Sequence, residues 1–114
     1  MRRTAGAMIG VLGLACAATP AAGQSEETFM IVRYHEAARA AEMCANVKFT
    51  RIEQDKLAAL VGYMTQHRVT VGEERMAIRT ARTNMEQRIA ASGCADPLVA
   101  DALRFFGTFR DQLR

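Results

Sequence analysis

Once its N-terminal segment is set aside, the chain keeps two cysteines, Cys44 and Cys94. That pair constrains the fold more than any other feature, because a bridge between them dictates which parts of the chain must meet. The segment itself reads as a secretion signal over residues 1–23: a basic start (Arg2, Arg3), an apolar run from Ala5 to Ala18, and a small-residue exit, Ala21-Ala22-Gly23. Export would place Cys44 and Cys94 where a disulfide forms and persists. The apolar run, about 14 residues interrupted by Gly10 and Gly13, is short for a membrane span. A retained anchor is the alternative. Lipidation at Cys16 is another, although Gly13 stands where a lipobox usually has Leu.

What remains, residues 24–114, is enough for one domain and one modest core. A core of that size often needs a staple. The formal charge of +3 drops to +1 when Arg2 and Arg3 leave with the signal. Such a balance argues little for a nucleic-acid partner. Thirteen of the fifteen basic residues are Arg, which fits a GC-rich coding bias as well as it fits recognition. Pro is almost absent after Pro20, and Ala is abundant, so the expected class is all-α.

Four helices are predicted. The first runs from about Thr28 to Val47, with Met30, Tyr34, Ala37, Ala41 and Cys44 on one face and His35, Arg39, Glu42 and Asn46 on the other. Thr50 and Glu53 have capping-box spacing and open a second helix, Arg51 to His67. Its apolar face is Ile52, Leu57, Leu60, Val61, Tyr63 and Met64. Thr70 and Glu73 repeat the box and open a third helix, Val71 to Ala91, with the thin stripe Ile78, Ala81, Met85 and Ile89. Ser92-Gly93 ends it, with Gly at the left-handed cap position. Asp96-Pro97 then starts a fourth helix running to about Gln112.

Four helices with short connections predict an up-down-up-down bundle. In that arrangement the end of the first helix and the start of the fourth share one end of the molecule. Cys44 and Cys94 lie at those two places, so a bridge is geometrically natural. Closing a loop of that size stabilises by about 4 kcal/mol in the chain-entropy model. A redox role is disfavoured, because the pair lacks the Cys-x-x-Cys spacing that lowers a thiol pKa.

Candidate chemistry is sparse. His35 falls on the polar face of the first helix and reads as solvated. His67 and Met64, three residues apart on the second helix, could ligate haem only if further ligands faced the core, and neither outer helix supplies a core-facing His. The only serines are Ser25 and Ser92, with no triad-like arrangement around them. A phosphate loop and a zinc-ligand spacing are both absent from the sequence. No cofactor, metal or catalytic activity is expected. Arg75, Arg79 and Arg82, with Glu86, share a face of the third helix. They form either a basic surface for an anionic partner or a solvated face whose long stems cover the thin stripe beside it.

The fourth helix carries more apolar residues than one neighbour can cover. Leu98, Val99, Ala102, Leu103, Phe105, Phe106, Phe109 and Leu113 span an arc of about 160°, where about 100° suffices to pack on a core. The Leu98/Phe105/Phe109 edge is therefore expected to stay partly exposed, as a surface for another protein or for self-association. The reading that follows is a small periplasmic interaction or scaffold protein, with a ligand or haem carrier using the bundle interior as the alternative. In size, compartment, helix content and the spacing of Cys44 and Cys94, the chain also resembles the small helical periplasmic acid chaperones of the HdeA kind. That resemblance implies a role in acid stress.

Overall fold

The computed structural model describes residues 25–114. They form four helices, α1 (Glu26–Cys44), α2 (Arg51–Met64), α3 (Val71–Ser92) and α4 (Pro97–Phe109), followed by a 3-10 turn at Arg110–Leu113. No strand occurs among the described residues. The signal reading of residues 1–23 and the question of Cys16 lie outside them.

Each helix start is fixed by a side chain that accepts one of the free N–H groups of the first turn. The Ser25 hydroxyl accepts from the Thr28 N–H at 3.0 Å, which starts α1 two residues earlier than predicted. Thr50 and Thr70 form complete capping boxes with Glu53 and Glu73. The Asp96 carboxylate accepts from Leu98 N–H at 2.8 Å, with Pro97 in the first turn.

The ends differ more from expectation. α1 stops at Cys44, because Asn46 turns to φ 56° and the Val47 N–H reaches back to the Ala41 carbonyl. α2 stops at Met64. Gln66 and His67 both take φ near 55°, and the buried Thr65 hydroxyl donates to the Val61 carbonyl at 2.9 Å. Gly93 has φ 81° and ψ 178°, a region that side chains exclude but different from the left-handed helical cap predicted for it. α4 tightens into the 3-10 turn after Phe109, and Leu113 enters the core there.

α1 is the hub. It packs chiefly against α3 and α4, while α2 rests on α1 and on the C-terminal turn. Its Ala37, Ala38, Ala40 and Ala41 are all buried. Four small side chains on one helix let three neighbours approach its backbone closely, so much of the packing gain is dispersion at short range. The bulk of the core comes from Ile31 and Tyr34 of α1, Leu57 and Val61 of α2, Phe106 and Phe109 of α4, and Leu113. Each such side chain contributes roughly 1.5–3 kcal/mol when fully buried. Phe109 meets Tyr34 and Phe106 at ring-centroid distances of 4.8 and 5.4 Å, and Phe49 closes the set edge-on against Phe106 at 5.8 Å. A second cluster, Ala40, Met85 and Val99, sits beside the disulfide end. There Cys44 and Cys94 are bridged, with their Cα atoms 5.8 Å apart.

Two faces were assigned differently by periodicity. The side of α1 that carries Arg39 and Glu42 is not a free solvent face: it is turned to α3. Arg39 binds Glu86 at 2.8 Å and Glu42 at 3.1 Å, and Arg82 of α3 reaches Glu42 at 3.5 Å. His35 is drawn into the same seam. With helices on several sides, α1 has no single solvent face. On α2, only Leu57 and Val61 are buried, and Leu60 partly so. Ile52, Tyr63 and Met64 are exposed. Ile52 and Tyr63 lie on a different side of the helix from Val61, and α2 has no neighbour there.

Candidate functional site

α3 and α4 are joined by a short turn and both lie on α1, but they touch each other little. Between them α1 is left uncovered, and a groove of about 210 Å³ opens there. Phe29 and Val32 of α1 line one side of it. Met85 of α3 and Leu98, Ala102 and Phe105 of α4 form its walls. Phe29 and Leu98 stand at its edges, 59% and 54% exposed. Large apolar side chains in such positions gain nothing from the fold as it stands.

Of the three residues singled out on the fourth helix, the structure brings two to this groove. Leu98 is exposed at its edge. Phe105 is half-buried in its wall, edge-on to Tyr34 at 4.9 Å, with the Arg33 guanidinium 4.2 Å above its ring. Phe109 is corrected: it is 2% exposed and belongs to the core. On the helical wheel Phe109 lies about 40° from Phe105 toward Phe106, and it packs there between Phe106 and Tyr34 of α1.

Four charges ring the groove, Arg33 and Glu36 from α1, Arg88 from α3 and Asp101 from α4. Their internal ties are loose or exposed: Arg88 is 3.9 Å from Asp96, Glu36 accepts from Asn84 at 3.5 Å, and Asp101 pairs with Arg104 of the next turn. A second shallow groove runs between Thr28 and Val32 of α1 and Gly72, Met76 and Ala77 of α3. Val32 belongs to both grooves, so the apolar strip continues from Leu98 across Val32 to the exposed Met76.

The basic trio is divided. Arg82 is engaged by Glu42 in the α1–α3 seam, whereas Arg75 and Arg79 are exposed and make no ion pair among the described residues. His35 is half-buried in that seam. Burial and the nearby Arg82 charge push its pKa down to about 4, since both disfavour the imidazolium. His67 and Met64 are not brought together as core ligands. Met64 is exposed, and His67 lies beyond the helix end with its ring against Gly62. A Cβ on Gly62 would sit 2.9 Å from that ring, which accounts for glycine at this helical position. Among the described residues no group of three or more His, Cys, Asp or Glu side chains is placed to share a metal ion, and no helix is long and apolar enough to cross a membrane.

The chain matches no family model, no curated protein and no solved structure.

Sequence reasoning missed Phe29, Val32 and Met76. The available signal was the α1 wheel, which puts Phe29 and Val32 well off the Tyr34/Ala37/Ala41 face.

Proposed function

We propose that this chain is a small exported helical interaction protein. In this reading residues 1–23 are removed as a signal, and the remaining four helices form an up-down-up-down bundle stapled by Cys44–Cys94. The groove between α1, α3 and α4 receives an apolar side of a partner polypeptide. The bundle order is supported by the cross-helix pairs. Glu36–Asn84 and Arg39–Glu86 advance together along α1 and α3, whereas Cys44–Cys94 and Tyr34–Phe105 run oppositely along α1 and α4. Export is supported by the disulfide itself.

The observation that carries the interaction reading is the groove with Phe29 and Leu98 exposed at its edges. A domain this small has little apolar surface to spare, and an apolar groove edged by exposed Phe29 and Leu98 with a charged rim has the composition of an interface. The test is site-specific photo-crosslinking in the native host, with the photoreactive residue at Leu98 in one strain and at Arg79 in another. A discrete protein adduct at Leu98 and none at Arg79 supports the reading. Equal labelling at both, or none at Leu98, contradicts it.

One observation favours a second reading, the acid-stress chaperone. His35 is held neutral in the α1–α3 seam, so acid favours states in which that seam opens and the alanine-lined hub is uncovered. Suppression of client aggregation at pH 3 but not pH 7 would support it. Equal or absent suppression at both pH values would exclude it.

A further inference from the structure

We infer that the occupant of the groove is a second copy of this chain, placed by a two-fold axis so that the same face of each copy covers the other. The inference rests on the interaction reading above and narrows it to one partner. A two-fold interface must be self-complementary, because each feature meets the partner's version of the same patch. This face satisfies that condition in shape and in charge. In shape, it carries both a hollow and the projections to fill one: Phe29 and Leu98 stand at the edges of the groove. In charge, its rim holds two cations, Arg33 and Arg88, and two anions, Glu36 and Asp101. Facing a copy of itself, such a rim can pair every charge with an opposite one. A uniformly acidic or basic partner would instead set like charges against half of it, which is unfavourable at a closed interface. Residues 24–114 carry a formal charge of only +1, so long-range repulsion between copies is weak.

Self-complementarity of charge gives a test that does not depend on the docking register. One variant makes the rim all acidic (Arg33→Glu with Arg88→Glu). The other makes it all basic (Glu36→Lys with Asp101→Lys). Sedimentation equilibrium of the oxidised protein should show wild type as a concentration-dependent dimer. Each rim variant alone should be monomeric, its dissociation constant raised at least tenfold, and an equimolar mixture of the two should dimerise again. Circular dichroism checks that each variant is folded. If either is not, Leu98→Glu replaces it, since that exposed side chain is outside the core, and it should also be monomeric. A wild type that stays monomeric at every accessible concentration overturns the proposal, as does a dimer that Leu98→Glu and both rim variants leave unchanged. Photo-crosslinking from position 98 separates this failure from that of the broader reading. An adduct of twice the chain mass supports the second copy. An adduct with a different protein retains the interaction reading and overturns the dimer, and no adduct overturns both.

Discussion

Arg39 of α1 holds Glu86 of α3 through two nitrogens on one oxygen, Nε and Nη2 at 2.9 and 2.8 Å from Oε2. The same guanidinium reaches Glu42 at 3.1 Å, and Arg82 forms an ion pair with Glu42 at 3.5 Å. Four alternating charges thus line the seam between the hub helix and its most extensive neighbour. The network keeps the Arg39 guanidinium firmly protonated despite its partial burial, because hydrogen bonds to Glu42 and Glu86 favour the cation. Glu86 remains partly solvated, so the pair is worth less than a fully buried one. Removing Arg39 by substitution to Ala should destabilise by about 1–2 kcal/mol, since it leaves two carboxylates in the seam without their partner. A double-mutant cycle with Glu86→Gln, read by urea unfolding at low and high salt, measures the coupling.

His35 gives the same seam a pH dependence of definite sign. Above pH 6.5 the imidazole is neutral in both folded and unfolded chains and has no effect. Below pH 6.5 the unfolded chain binds a proton that the folded chain refuses until about pH 4. Stability is therefore lost as pH falls through that window, by up to about 3 kcal/mol. Arg82, Glu42 and Glu86 face the same seam and carry their own electrostatics. The measurement is accordingly the difference between wild type and His35→Gln in denaturant unfolding from pH 7.5 to 4. The gap should change across that window, wild type losing more stability than the variant.

The disulfide ties the end of α1 to the turn before α4 across 50 residues. Reduction should lower unfolding stability by about 4 kcal/mol in the chain-entropy model. It should act first on the Ala40/Met85/Val99 cluster, which lies at the same end. Hydrogen exchange with and without reductant checks this, with the largest loss of protection expected at the last turn of α1 and the first turn of α4.

The phenylalanines of α4 are expected to separate by depth. Phe109→Ala removes a ring packed against Tyr34 and Phe106 and should destabilise by about 3–5 kcal/mol. Phe105→Ala removes a half-buried ring and should cost less, roughly half as much. Thermal unfolding of the two variants side by side gives the order, and the reverse order would contradict the core assignment.

The helix class, the starts of α2, α3 and α4 and the cysteine pair were legible in the sequence, because each depends on local chemistry: a capping hydroxyl or carboxylate, a proline, an even cysteine count; α1 starts two residues before its predicted place, on the Ser25 cap. Helix ends were less legible. The positive φ angles at Asn46, Gln66 and His67 depend on how the following segment packs, and no glycine marks them. The faces of α1 were half legible. Tyr34, Ala37 and Ala41 are buried as their spacing predicts, but Ile31, Ala38 and Ala40 are buried too. A hub with neighbours on three sides has no single apolar stripe for periodicity to find. On the groove, Leu98 and Phe105 followed from the over-wide apolar arc of α4. Phe29 and Val32 did not, because their place in the groove depends on where α3 and α4 diverge.

The most direct test of the central claim is Leu98→Glu, with stability and association measured on the same sample. The account predicts a melting temperature within a few degrees of wild type, as for a surface substitution, together with loss of self-association in sedimentation. A collapsed melting temperature with association unchanged would show that Leu98 serves the fold and that the groove is not an interface.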